Sequence, residues 1–273
     1  MSGARGLPAL AETACPAAVP WLRMRAEAER SAAREPLLRP LLEATVLRHR
    51  SLGPALAQLL APPLAGQGLA AAALHGLFDE VLAAAPELVA HAWRDLHAAL
   101  ERDPATDELV DPFLNHKGFQ ALQAHRIAHR LWVDGRHALA RRLQSRVSQV
   151  WAVDIHPAAR IGAGLFIDHA TGVVIGETCV IGEDVSMLQD VTLGGTGKES
   201  GDRHPKIGAG VLLCAGAKVL GNVRIGAGAR VGAGSVVLRD VPEHATAVGV
   251  PARLVERARA AGHRLGDTCG APA

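Results

Sequence analysis

From residue 155 to residue 241 aliphatic residues recur at every sixth position, and nothing else in the chain restricts its fold as tightly. The repeat starts at Ile155, Ile161 and Ile167, then at Ile175, Ile181, Met187 and Leu193, then at Ile207, Leu213, Val219, Ile225, Val231 and Val237. Glycine follows the start at 162, 176, 182, 194, 208, 226 and 232. Four positions after a start the residue is small or apolar, as at Ala159, Thr171, Cys179, Val185, Val191, Val211, Ala217, Val223, Ala229, Ser235 and Val241. Six residues make a short strand and a tight turn. Three such units close a triangular coil of eighteen residues, and coils stack at the inter-strand spacing of ~4.8 Å. The aliphatic start fills the interior, and the glycine lets the corner turn tightly. The second half therefore reads as a parallel β-helix.

The phase breaks twice. Eight residues separate Ile167 from Ile175, so two extra residues bulge at His169-Ala170-Thr171-Gly172. Fourteen separate Leu193 from Ile207, so Gly194 to Lys206 must leave the coil as a loop. Polar loops on a regular scaffold are where sites are usually built.

The first half has another character. Of the 29 glycines, 8 lie in residues 1–150 and 21 in the shorter remainder, which marks two architectures. Val89, Ala92, Trp93, Leu96, Ala99 and Leu100 share one helix face. Leu139, Leu143, Val147 and Val150 make a second stripe, and Leu38, Leu41, Leu42, Thr45 and Val46 a third. Breakers at Gly53-Pro54, Pro62-Pro63, Asp103-Pro104, Asp111-Pro112 and Asp134-Gly135 divide five to eight helices. The expected organisation is α+β: a helical domain over 1–150 with its first ~20 residues frayed, a β-helix over 151–256, and a flexible tail over 257–273.

Composition excludes several functions. A net charge of +2 implies no strong field for nucleic acid or membrane, and 3% aromatics with no Tyr argue against stacking platforms for single strands. Cysteines at 15, 179, 214 and 269 form no CxxC pair. No apolar run reaches the ~18 residues of a membrane span, and no signal-like segment opens the chain, so a cytoplasmic protein is expected.

Candidate chemistry sits at the phase breaks. Asp154 and His169 are fifteen residues apart, close to one coil, which places them near one edge of the prism. A carboxylate accepting from one imidazole nitrogen leaves the other as a base. Arg203-His204 adds a cation and a second imidazole. From spacing alone, the Asp-His pair equally caps a turn, Arg203 is a solvated charge, Asp103 is a turn residue before Pro104, and His156 is a corner residue. Cys179 and Cys214 fit packing positions. The helical histidines, among them His91, His125 and His129, form no ligand cluster in sequence, and no metal is expected.

Several segments together resemble serine O-acetyltransferase, a hexapeptide-repeat family. They are Val153-Asp154-Ile155-His156-Pro157, Asp168-His169-Ala170-Thr171-Gly172, Val191 to Lys198, Gly201 to Ile207 and Gly249-Val250-Pro251-Ala252-Arg253. Arg102-Asp103-Pro104-Ala105 and Lys117 to Arg126 match as well, and the likeness spans about residues 21–256. It implies a left-handed β-helix and acetyl transfer from acetyl-CoA to the hydroxyl of L-serine. It implies His169 as general base with Asp154 behind it. Serine would be held by Asp103, Asp168, Arg203 and His204, and acetyl-CoA by Ala215, Ala233, Gly195 and Arg253. It implies L-cysteine as inhibitor, and a homotrimer or dimer of trimers with sites between neighbouring prisms. Docking to O-acetylserine sulfhydrylase is not expected, because the family's terminal Ile is replaced by Ala273. The rival readings are an acetyltransferase for homoserine or a sugar, a metal-dependent hydratase and a non-catalytic scaffold. An amino-acid zwitterion needs both of its charges met, so Asp103, Arg203 and His204 separate the first rival.

Overall fold

The computed structural model describes residues 18–66, 68–198 and 200–255. Cys15, Cys269, the tail at 257–273 and the expectation resting on Ala273 lie outside the described residues. The helical half begins with α1 (Ala18–Arg34) and α2 (Arg39–Leu42), followed by α3 (Leu52–Leu64) and α4 (Ala71–Ala84). It continues with α5 (Pro86–Arg102), α6 (Val110–Asn115), α7 (Lys117–Val133) and α8 (His137–Trp151). Ala18 to Pro20, inside the stretch expected to be frayed to about residue 20, already belong to α1, which buries Trp21 and Met24 in the core.

Three of the expected breakers stand within the end turns of helices, beside the boundaries they mark. Pro54 and Pro112 fall in the first turns of α3 and α6, where the missing N–H has no intrahelical partner to lose. Pro62 and Pro63 occupy the last turn of α3, which ends at Leu64. Two stripes are also corrected. In α8 the buried face runs Leu143, Val147, Trp151, and Val150 points outward. The third stripe does not form one α-helix: a 3-10 turn (Pro36–Leu38) precedes α2 and a wide π turn (Glu43–Leu47) follows it. The altered winding buries Leu42, Thr45 and Val46 and leaves Leu38 and Leu41 exposed. The α5 stripe is as expected, with Ala92, Trp93, Leu96 and Ala99 buried.

From Val153 the chain coils through fifteen short strands in three sheets. Sheet 1 stacks β1 (Val153–Ile155), β4 (Val173–Ile175), β7 (Thr192–Gly194), β10 (Lys218–Leu220) and β13 (Val236–Val237). Sheet 2 stacks β2 (Arg160–Ile161), β5 (Val180–Ile181), β8 (Lys206–Ile207) and β11 (Arg224–Ile225). Sheet 3 stacks β3 (Phe166–Ile167), β6 (Ser186–Met187), β9 (Leu212–Leu213), β12 (Arg230–Val231) and β14 (Thr246–Gly249), and is closed by the antiparallel β15 (Ala252–Val255). The registers measure the coils. Asp154 pairs with Val174, Val174 with Thr192, Thr192 with Lys218 and Lys218 with Val236. Those spacings are twenty, eighteen, twenty-six and eighteen residues, so the two phase breaks lie where the repeat puts them.

Twelve of the thirteen repeat starts are buried, and Ile161 is only partly so. Thr171 departs from the pattern. His169 and Ala170 are both left-handed (φ 56° and 61°), and that turn rotates Thr171 outward while Ala170 and Val173 take the interior places.

One buried ion pair locks the two halves together. Arg126 of α7 contacts Asp95 of α5 at 2.8 Å, with the two side chains 4% and 1% exposed. The same guanidinium donates to the Ile161 and Gly162 carbonyls, and Asp95 accepts from the Leu165 N–H. Among the described residues no helix is long and apolar enough to cross a membrane.

Candidate active site

Two groups of polar side chains stand at two corners of the prism. The first lies where sheet 3 turns into sheet 1. Asp103, at the end of α5, and Asp168 and His169, just after β3, line a cavity of about 290 Å³. Asn115, His116, Lys117 and Gly118 from the α6–α7 junction close it. Asp103 is also the turn residue its place before Pro104 suggests, accepting from the Ala105 N–H (2.9 Å) and the Thr106 hydroxyl (3.1 Å). Those two bonds hold its carboxylate in place. His169 Nε2 is 3.5 Å from Asp168 Oδ2, and the imidazole is 69% exposed. Its left-handed backbone is uncommon for a residue with a side chain, costing roughly 1–2 kcal/mol, and such strain concentrates at functional positions. Gly118 is needed at the cavity wall, because a Cβ there would sit 2.1 Å from the Ile167 carbonyl oxygen. Asp154 lies in mid-β1 beneath Val174, and its Oδ1 accepts from Gln144 (2.6 Å).

The second group lies where sheet 1 turns into sheet 2. Arg203 donates to Glu177 Oε2 at 2.8 Å. The Thr178 hydroxyl oxygen accepts from the Arg203 and His204 N–H groups, each at 3.1 Å, and so pins the long loop to the corner. His204 Nδ1 accepts from the Thr178 N–H, which leaves Nε2 as the protonated donor of the neutral ring. Burial, and next the Arg203 charge, pull the His204 pKa down and favour that neutral form. Its hydrogen bond to Arg203 lowers the pKa of Glu177. Gly195 stands beside Arg203. Sequence reasoning missed Glu177, Thr178, His116 and Gln144. Glu177-Thr178 carries a signal only in hindsight, as the polar pair at the corner one coil below the loop.

The remaining candidates follow the first corner upward. The Asp190 N–H donates to the Thr171 carbonyl, Gly216 to Gln189 and Gly234 to Ala215. Ala215 and Ala233 therefore stand above His169 on successive coils, and the space over Gly234 is open. Arg253 is exposed on β15 at the top of sheet 3. A cavity of about 690 Å³ between α3, α4 and α5 has a mainly apolar lining and lies away from both groups.

A hexad solenoid with a carboxylate-flanked histidine at one corner defines a hexapeptide-repeat acyltransferase. A serine acetyltransferase N-terminal family profile matches residues 20–124, and a bacterial transferase hexapeptide profile matches residues 204–239. Serine acetyltransferase of Salmonella typhimurium is 55% identical over 86% of this chain and 86% of its own. The crystal structure of the Vibrio cholerae serine acetyltransferase superposes with TM-score 0.87 at 50% identity, covering 89% of this chain and 94% of that one. The soybean enzyme complexed with serine gives 0.86 at 55% identity, covering 88% of this chain and 100% of that one. Two further solved serine acetyltransferases hold cysteine and, in the Brucella abortus enzyme, coenzyme A. The chain belongs to the serine acetyltransferase family. It is an acyltransferase, and acetyl-CoA is the co-substrate of that reaction.

Gly176 offers a direct test of the second corner. A Cβ there would lie 2.1 Å from His204 Cδ2 and 2.2 Å from Nε2. On the role proposed for His204 below, as a donor to the serine carboxylate, Gly176→Ala should push the imidazole aside and raise the KM for serine by about tenfold, the worth of a hydrogen bond to a charged group. Steady-state kinetics measures this, and an unchanged KM would reject that role.

Proposed function

We propose that this chain transfers the acetyl group of acetyl-CoA to the hydroxyl of L-serine with His169 as general base. The observation that carries the reading is the cavity shared by Asp103, Asp168 and His169. Two carboxylates suit the ammonium of an amino acid, and the imidazole beside them reaches for its hydroxyl. Acetyl-CoA supplies an activated thioester, so no protein nucleophile is required. His169 takes the hydroxyl proton as the oxygen bonds to the acetyl carbon, the carbon–sulfur bond breaks, and the imidazolium returns the proton to the departing sulfur. Asp154 is proposed as the carboxylate that stabilises the imidazolium. In support, Gly172 beside His169 donates to the Ala152 carbonyl at 2.8 Å, two residues before Asp154. Arg203 and the His204 Nε2–H meet the serine carboxylate. Ala215 and Ala233 guide acetyl-CoA down the corner toward His169, with Gly195 and Arg253 at the rim.

The two groups stand at opposite ends of strand β4, separated by roughly 10 Å of strand in addition to the corners themselves. One serine cannot touch both on one copy. A three-fold arrangement that faces the first corner of one prism against the second corner of the next completes the site, which supports a homotrimer. The exposed Val19, Leu22, Leu37 and Leu38 on the helical half suit a contact between two trimers.

Three experiments test this. Thiol release from acetyl-CoA with serine, homoserine and a sugar identifies the acceptor, and serine should be preferred. Refolding a mixture of His169→Ala and Arg203→Ala chains should restore about a quarter of the sites from two inactive parents. No recovery would mean that each copy carries a complete site. L-cysteine offers the same ammonium and carboxylate as serine and should inhibit competitively. Inhibition unaffected by raising serine would reject a shared site.

A further inference from the structure

The proposed serine cavity has walls from both halves of the chain. Asp103 comes from the helical half, and Asp168 and His169 come from the solenoid. The spacing between the two carboxylates is therefore set by how the end of α5 is seated on the prism. One turn before that end, Ala98 and Ala99 pack on Phe166 of β3, an apolar contact with no directional preference. Two turns before it, Arg94 pairs with Glu183 and Asp184, but all three side chains are exposed and the tie is weak. Arg102 is different. It is the last residue of α5 and the immediate neighbour of Asp103, and its side chain is only 14% exposed. Its guanidinium spans two successive coils. Nη1 donates to the Gly164 carbonyl on the first (3.0 Å), and to the Ser186 hydroxyl and the Val185 carbonyl on the second (3.2 and 3.4 Å). Nη2 donates to Asp184 Oδ1 at 3.4 Å. The segment after Asp103 is held elsewhere: Arg23 of α1 donates to the Asp107 carbonyl, and Glu27 of α1 accepts from the Val110 N–H.

We infer that Arg102 is a positioning residue for serine binding: by clamping the end of α5 onto sheet 3, it holds the Asp103 carboxylate at the distance from Asp168 at which one ammonium meets both. The inference rests on the reading of the cavity as the serine site. A clamp of this kind needs a guanidinium. Its planar fork offers five N–H donors at fixed angles to acceptors on two coils, whereas a lysine ammonium is a single centre that cannot span them. Arg102 is not among the residues lining the cavity, so it acts through Asp103. Its loss should therefore weaken serine binding and leave proton transfer at His169 untouched.

The test is a double-variant cycle on the full chain, read as the KM for serine and kcat, with coenzyme A affinity measured by calorimetry. Asp103→Asn should raise the KM for serine. Arg102→Lys keeps the charge and should raise the same KM about tenfold, with kcat within about twofold and coenzyme A affinity unchanged. Added to Asp103→Asn, Arg102→Lys should change nothing further, because a positioning residue has no effect once the carboxylate it positions is gone. An unchanged KM for Arg102→Lys beside a raised one for Asp103→Asn would overturn the inference and leave the serine site standing. Additive effects, or a fall in kcat as large as the rise in KM, would make Arg102 a general support of the fold and overturn it as well. An unchanged KM for Asp103→Asn would reject Asp103 from the serine site, and the inference with it. Should Arg102→Lys fold poorly, Ser186→Ala enters the same cycle: it removes one acceptor of the fork and should raise the KM about threefold, and an unchanged KM there would overturn the inference.

Discussion

Replacing His169 with alanine should lower turnover ~10²–10⁴-fold, the range typical of losing a general base, while acetyl-CoA binding is retained. The side chain is 69% exposed on a strained corner, so its removal costs no core packing and the variant should fold normally. Steady-state rates of thiol release, with coenzyme A affinity measured by titration, separate chemistry from binding. Near-normal turnover would reject His169 as the base. The two carboxylates are distinguished in the same assay. Asp154→Asn should lower kcat, because it withdraws charge from behind the imidazolium. Asp168→Asn should act mainly on the KM for serine, because it loses a partner for the ammonium. A reversed pattern would exchange the two roles.

Replacing Asp95 with alanine should destabilise the fold by about 3–5 kcal/mol, because it leaves the Arg126 guanidinium buried without a counter-charge. The loss should exceed that of any surface pair, such as Arg94 with Glu183, whose side chains are 44% and 59% exposed and whose removal should cost at most about 1 kcal/mol. Urea unfolding at matched protein concentration measures both. A loss under ~1 kcal/mol for Asp95→Ala would show that Arg126 finds solvent or another acceptor. Asp95 also accepts from the Leu165 N–H, so the same variant loosens the seat of the solenoid on the helices. Activity should fall with it, since Asp103 at the end of α5 lines the proposed serine cavity.

Much of this architecture is written locally. A six-residue period needs only one aliphatic side chain inward and one permissive corner per strand, so the strands, their order and both interruptions follow from counting along the chain. His169 and Arg203-His204 were visible for the same reason, as polar residues where the count fails. The helical half is less legible, because 3.6-residue stripes state that a face is buried but not against what. The stripe at Leu38–Val46 misleads because a π turn changes the winding after Leu42. The prolines at 54, 62, 63 and 112 mark helix boundaries but sit inside the end turns, where a helix tolerates them. Only the tertiary structure decided which side chains meet. It set Asp168 beside His169, and it hung the loop on Thr178. It joined Asp95 to Arg126 across two helices and seated Arg102 on sheet 3. Those groups come from segments far apart along the chain. Their approach depends on how the helices pack on the prism, a matter of summed side-chain volumes that no spacing rule records.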